Sequence, residues 1–106
     1  MTSIRIARGI PVTLADGTAI RVPTIPFTDE GLRIAALLDA LSAPTLSNVE
    51  YMGALLDAAV SGIRLNHPDA SVESLRPRLD LQAALDVIAA LRGESPTETT
   101  IGPESL

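Results

Sequence analysis

The chain has 106 residues, and 46% apolar against 20% charged residues excludes wholesale disorder and fits one modest domain. It holds no cysteine and one histidine, which excludes disulfides, thiolate metal sites, cysteine nucleophiles and a His-rich metal cage. A net charge of −5, from 8 Arg and no Lys against 13 acidic residues, disfavours nucleic acid and anionic membranes as partners.

Leu and Ala, 15 each, dominate the apolar fraction, while Phe27 and Tyr51 are the whole aromatic supply. Such a composition packs helices closely but offers few rings for stacking bases, sugars or flat cofactors. No apolar run approaches the roughly 18 residues that span a bilayer. The opening segment MTSIRIARGIPVTL lacks a long apolar stretch and a small-residue cleavage pattern, so a cytoplasmic protein without a secretory leader is expected.

Residues 4–22 read as β structure, because Ile4, Ile6, Ile10, Val12, Leu14, Ile20 and Val22 alternate with polar neighbours. Asp16-Gly17 marks a hairpin turn. A two-residue turn would send Ile20 and Val22 to the face opposite Val12 and Leu14. A three-residue loop over 15–17 pairs Leu14 with Thr18, Val12 with Ile20 and Ile10 with Val22, keeping the apolar set on one side. That loop is expected, with Gly17 in the left-handed region. Pro23 and Pro26 then close the strand.

Thr28 is placed to cap a helix over 29–42, with Asp29 and Glu30 in its first turn and Pro44 beyond its end. Its apolar ridges are Leu32, Ala35, Leu38 and Ile34, Leu37, Leu41. Ser47 and Glu50 have capping-box spacing for a second helix, whose stripe is Met52, Leu55, Leu56, Ala59 and Ile63. Gly53 and Gly62 interrupt it, each tolerable where another backbone comes close. Asn66-His67-Pro68-Asp69 is expected as a structural turn, since Pro68 holds His67 out of helical geometry. Ser71 caps a short third helix limited by Pro77. Asp80 caps a fourth, with Leu81, Ala84, Leu85, Ile88 and Leu91 on one stripe and Gly93 as its stop. The expected architecture is α+β: an N-terminal β-hairpin region at 1–26, then three to four helices over 27–93. Residues 1–93 form one globular domain, and 94–106 a flexible tail.

Chemistry has little material. His67 beside Asp69 supplies two members of a catalytic triad, but helix termination and a turn explain the same residues. The carboxylates at Asp29, Glu30, Asp57 and Asp80 are scattered and lack a nearby His, so no metal site is expected. The glycines are dispersed and no GxxxxGK pattern occurs, so no phosphate-binding loop and no cofactor is expected. Arg64, Arg76, Arg78 and Arg92 are interspersed with acids and form no basic stripe. A non-enzymatic protein-binding role remains.

Residues 60–92, VSGIRLNHPDASVESLRPRLDLQAALDVIAALR, resemble the C-terminal segment of tail assembly chaperones of long-tailed bacteriophages. Asn66, Pro68 and Asp69 match that family's turn, Ser71–Leu75 its short acidic helix, and Leu79-Asp80 its step into the final helix. IPVTLADGTAIRVPTIP resembles the strand, turn, strand and Pro-bounded exit before the family's helices, extending the likeness over roughly residues 9–93. His67 stands where an aromatic is usual, Arg64-Leu65 lacks an Arg next to Asn66, and Pro77 interrupts the short helix. The resemblance implies a non-enzymatic factor of virion morphogenesis. Such a factor binds the tape-measure protein, keeps it soluble and brings tail-tube subunits to it. It acts in the host cytoplasm and is absent from the mature virion. A groove between the helices at 47–65 and 80–92 is then expected to hold the partner. Met52, Leu55, Leu56, Ala59, Ile63, Leu85, Ile88 and Leu91 are the expected contacts, and self-association is left open. The alternative is a small regulatory or adaptor protein of a prophage or host, one form of which is a helix-turn-helix at 48–79.

Overall fold

A computed structural model describes residues 9–94. It is an α+β fold, in which strands β1 (Ile10–Thr13) and β2 (Ala19–Val22) are followed by helices α1 (Asp29–Ala40), α2 (Asn48–Arg64), α3 (Val72–Leu75) and α4 (Leu81–Leu91). The strand character expected at Ile4 and Ile6, and the tail expected beyond Glu94, lie outside the described residues.

The hairpin has the register that side-chain parity requires. Ile10 faces Val22 and Val12 faces Ile20 in an antiparallel pair. The Leu14 N–H donates to the Thr18 carbonyl at 2.8 Å, and the Gly17 N–H to the Leu14 carbonyl at 2.9 Å. Gly17 has φ +90°, a conformation that a β-branched side chain resists. Val12, Leu14 and Val22 are buried together on the inner face. Pro11 pairs with Arg21 at the position where a strand N–H points away from its partner, so its missing donor breaks no ladder bond.

Each main helix begins on the side chain placed to cap it. The Gly31 N–H donates to Thr28 Oγ1 at 3.1 Å. Ser47 and Glu50 form both halves of a capping box. The Ala83 N–H donates to Asp80 Oδ1 at 2.8 Å. α1 ends earlier than its apolar pattern predicts, because its last turn tightens: Leu41, Ser42 and Ala43 each donate to the carbonyl three residues back. α3 is a single turn continued by a 3₁₀ turn over Arg76–Arg78. Pro77 has no N–H to carry an α-helical bond through that point.

The core gathers where α2, α4, α1 and the hairpin meet; Ile34, Ile63, Leu91, Val22 and Val87 are its largest fully enclosed side chains. α2 and α4 form the most extensive helix pair, and β1 lies against α4. A Cβ on Gly62 would stand 2.8 Å from a Leu91 methyl, so this glycine lets the C-terminal halves of the two helices close on each other. Only a narrow face of α1 is enclosed, through Gly31, Ile34 and Leu38. Leu32, on one of its two expected ridges, is 63% exposed. Among the described residues, long-range bonds tie the hairpin and the segment after it to the helical part: Ala15 N–H to Arg78 O at 2.8 Å and Asn66 Nδ2 to Arg21 O at 3.0 Å from the hairpin, and Ile25 N–H to Leu91 O at 3.2 Å from the segment that follows.

Candidate protein-binding site

The C-terminal halves of α2 and α4 pack tightly at Gly62 and Leu91, whereas their N-terminal halves stand apart. Between them lies an apolar cleft of about 310 Å³, lined on the α2 side by Met52, Gly53, Leu55 and Leu56 and across from it by Leu81 and Ala84. Leu79 and Arg76, from the segment that returns to α4, wall one end. The two helices therefore run in the same direction, and the opening is at their N-terminal ends.

This geometry divides the eight residues expected to contact a partner, and most of that set is corrected. Leu55, Ala59, Ile63, Ile88 and Leu91 are all at most 5% exposed and belong to the core. They bind α2, α4 and the hairpin to one another; Ala59, Ile63, Ile88 and Leu91 are not available to a second chain, and Leu55 reaches the cleft only at its floor. The physical reason is that the centre of each apolar stripe faces the neighbouring helix, so only its margin reaches solvent. Met52 and Leu85 are exposed and Leu56 is half-buried. They are the three expected contacts that an incoming surface can touch.

Sequence reasoning missed Val49, which is 81% exposed, and Leu81, which is 47% exposed. A signal for Val49 was present. Val49, Met52 and Leu56 recur at i, i+3 and i+7, forming a second ridge beside the Leu55–Ala59–Ile63 ridge that serves the core. An apolar arc wider than one neighbouring helix can cover leaves such a ridge in the open.

The charges around the cleft are partly committed. Asp80 accepts the Ala83 N–H as the cap of α4, and Glu50 Oε1 accepts the Ser47 N–H at 2.9 Å as half of the α2 box. Among the described residues the ion pairs are Arg33 with Glu30 and Arg78 with Asp16, neither in the cleft. Asp16 is held below the ordinary carboxylate pKa of 3.8, first by the Thr18 backbone N–H and then by the Thr18 side chain, with the Arg78 charge a smaller contribution. That carboxylate belongs to the hairpin loop and stabilises the turn.

The turn residues serve structure. The His67 N–H donates to the Ile63 carbonyl and its own carbonyl accepts from Ala70, which closes α2 and starts the approach to α3. Arg64 reaches the Pro68 carbonyl at 3.3 Å. The His67 and Asp69 side chains are exposed. No group of three or more His, Asp or Glu among the described residues is arranged to hold a metal ion. None of the described helices is long and apolar enough to cross a membrane. No protein-family model, no curated protein and no solved structure matches the chain at a significant level.

Proposed function

We propose that this chain is a non-catalytic binding protein that acts as a tail assembly chaperone of a long-tailed bacteriophage. It covers apolar helical surface on the tape-measure protein, keeps that protein soluble and helps recruit tail-tube subunits. In this reading it works in the host cytoplasm and is left out of the finished virion. The observation that carries it is the open apolar cleft, with Met52 and Leu81 exposed in its lining and Leu85 exposed one turn beyond Leu81 on α4. Exposed apolar side chains gathered at one place mark an interaction surface more often than scattered ones do. The turn and step residues that resemble the family, Asn66, Pro68, Asp69 and Leu79-Asp80, support the reading from the sequence side.

Co-expression tests it. The chain should raise the soluble yield of the tape-measure protein encoded in the same genome. Met52→Asp with Leu85→Asp should abolish that effect while the far-UV circular dichroism stays unchanged. These sites suit the test because both side chains are partly in water, at 53% and 39% exposed, and the circular dichroism checks that the fold is kept. An unchanged yield with the wild-type chain, together with salt-sensitive retention on DNA, overturns the proposal in favour of a small DNA-associated regulator.

A further inference from the structure

Gly53 stands in the interior of α2, where glycine is a poor helix former, and a Cβ built on it meets nothing within 4 Å. Gly62, on the same helix, has an internal use, because Leu91 occupies the space its side chain would need. Among the described residues, nothing occupies the corresponding space at Gly53. The residue lies in the lining of the cleft, next to Met52. Glu50 and Asp57 are three residues before and four residues after it, which puts both carboxylates beside Gly53 on the helix surface. Both are exposed, and neither is ion-paired among the described residues.

We infer that the cleft receives an α-helix whose backbone crosses α2 at Gly53, with a small residue at the crossing and Arg or Lys on both flanks. The inference rests on the binding role proposed for this cleft and adds the class of partner. A helix fits because the long walls are apolar side chains of α2 and α4, with Arg76, Leu79 and Asp80 of the connecting segment closing one end, and the lining contains no strand for an extended peptide to pair with. A small residue fits because the separation of packed helices is set by the side chains at their contact, and glycine on one side favours a close crossing. Basic flanks fit because Glu50 and Asp57 beside the crossing, with Asp80 in the cleft lining, outnumber Arg76, the one basic side chain lining the cleft among the described residues.

The probe is a synthetic helix of about 18 residues, long enough to hold helical structure, with a Leu/Ala ridge, a central Ala and Arg on both flanks. Its affinity is read by fluorescence anisotropy. Gly53→Leu should weaken binding about tenfold or more, because the added side chain fills the crossing point. Its thermal stability should be no lower than wild type, since the new side chain meets open space. Asp57→Asn should weaken binding about two- to fivefold at low salt, and the same helix with Glu flanks should bind worse than the Arg form. Binding unaffected by Gly53→Leu, equal binding of the Glu-flanked helix, or no binding of either helix overturns the inference. The two proposals can fail separately. If the wild-type chain and Gly53→Leu solubilise the tape-measure protein equally, the crossing at Gly53 is wrong and the chaperone reading stands. If the Arg-flanked helix binds through Gly53 while the tape-measure protein is unaffected, the chaperone reading is wrong and the crossing stands.

Discussion

Ile63→Ala and Met52→Ala provide a direct comparison, because both are large apolar residues within one stripe of α2 and their surroundings differ sharply. Ile63 is 1% exposed and Met52 is 53% exposed. Truncating Ile63 removes three carbons from the closed junction of α2, α4 and the hairpin, and the cavity left behind adds to the lost transfer energy. The expected cost is about 2–5 kcal/mol. At this chain length that corresponds to a fall in Tm of about 8–20 °C. Truncating Met52 loses only about half of that transfer term and leaves no closed cavity, since water reaches the site. Its cost should be about 1 kcal/mol or less, partly offset by the better helix propensity of Ala. Urea denaturation followed by circular dichroism reads both variants, with an unchanged m-value confirming that the unfolding reaction is the same. Equal costs at the two positions would refute the division of the stripe into core and open margin.

Two further predictions concern the hairpin. Gly17→Val should cost about 1–3 kcal/mol, because the φ of +90° is strained for a β-branched residue; thermal denaturation checks it, and an unchanged Tm contradicts the three-residue loop. Asp16 has a lower pKa folded than unfolded, so its contribution is present at neutral pH, begins to fade as pH drops toward 3.8 and is lost below its folded pKa. Wild type and Asp16→Asn should therefore differ in urea midpoint at pH 7 and converge in acid, and parallel profiles across that range would exclude the linkage.

The parts of the fold that could be read beforehand are those set by local rules. The hairpin register follows from parity, since only one loop length puts Val12, Leu14, Ile20 and Val22 on one side. The helix starts follow from Thr28, Ser47, Ser71 and Asp80, whose oxygens satisfy backbone donors that no helix can satisfy by itself. Facing was not legible, because it depends on which helices become neighbours. The α2 stripe carries Met52 and Ile63 alike, and nothing local distinguishes the residue that meets α4 from the one that meets water. The two α2 glycines are equally ambiguous in the sequence, and only the position of Leu91 separates them. Nothing local in the sequence marks Gly31, yet a Cβ there would stand 1.8 Å from the Pro26 carbonyl oxygen, a contact made by the turn into α1. The candidate site was legible as a region, the space between the second and last helices, and its residues were not.

The absence of cysteine makes the most direct measurement clean, because a single Met52→Cys takes one label. An environment-sensitive fluorophore at that position reports whether the cleft becomes covered, and a second chain labelled through Ser42→Cys, at an exposed position after α1, serves as the reference. Titration with the tape-measure protein should shift the Met52→Cys emission to the blue and saturate, with the reference unchanged. Saturable binding that leaves the Met52→Cys emission where it began would contradict the claim that this cleft is where the partner helix lies.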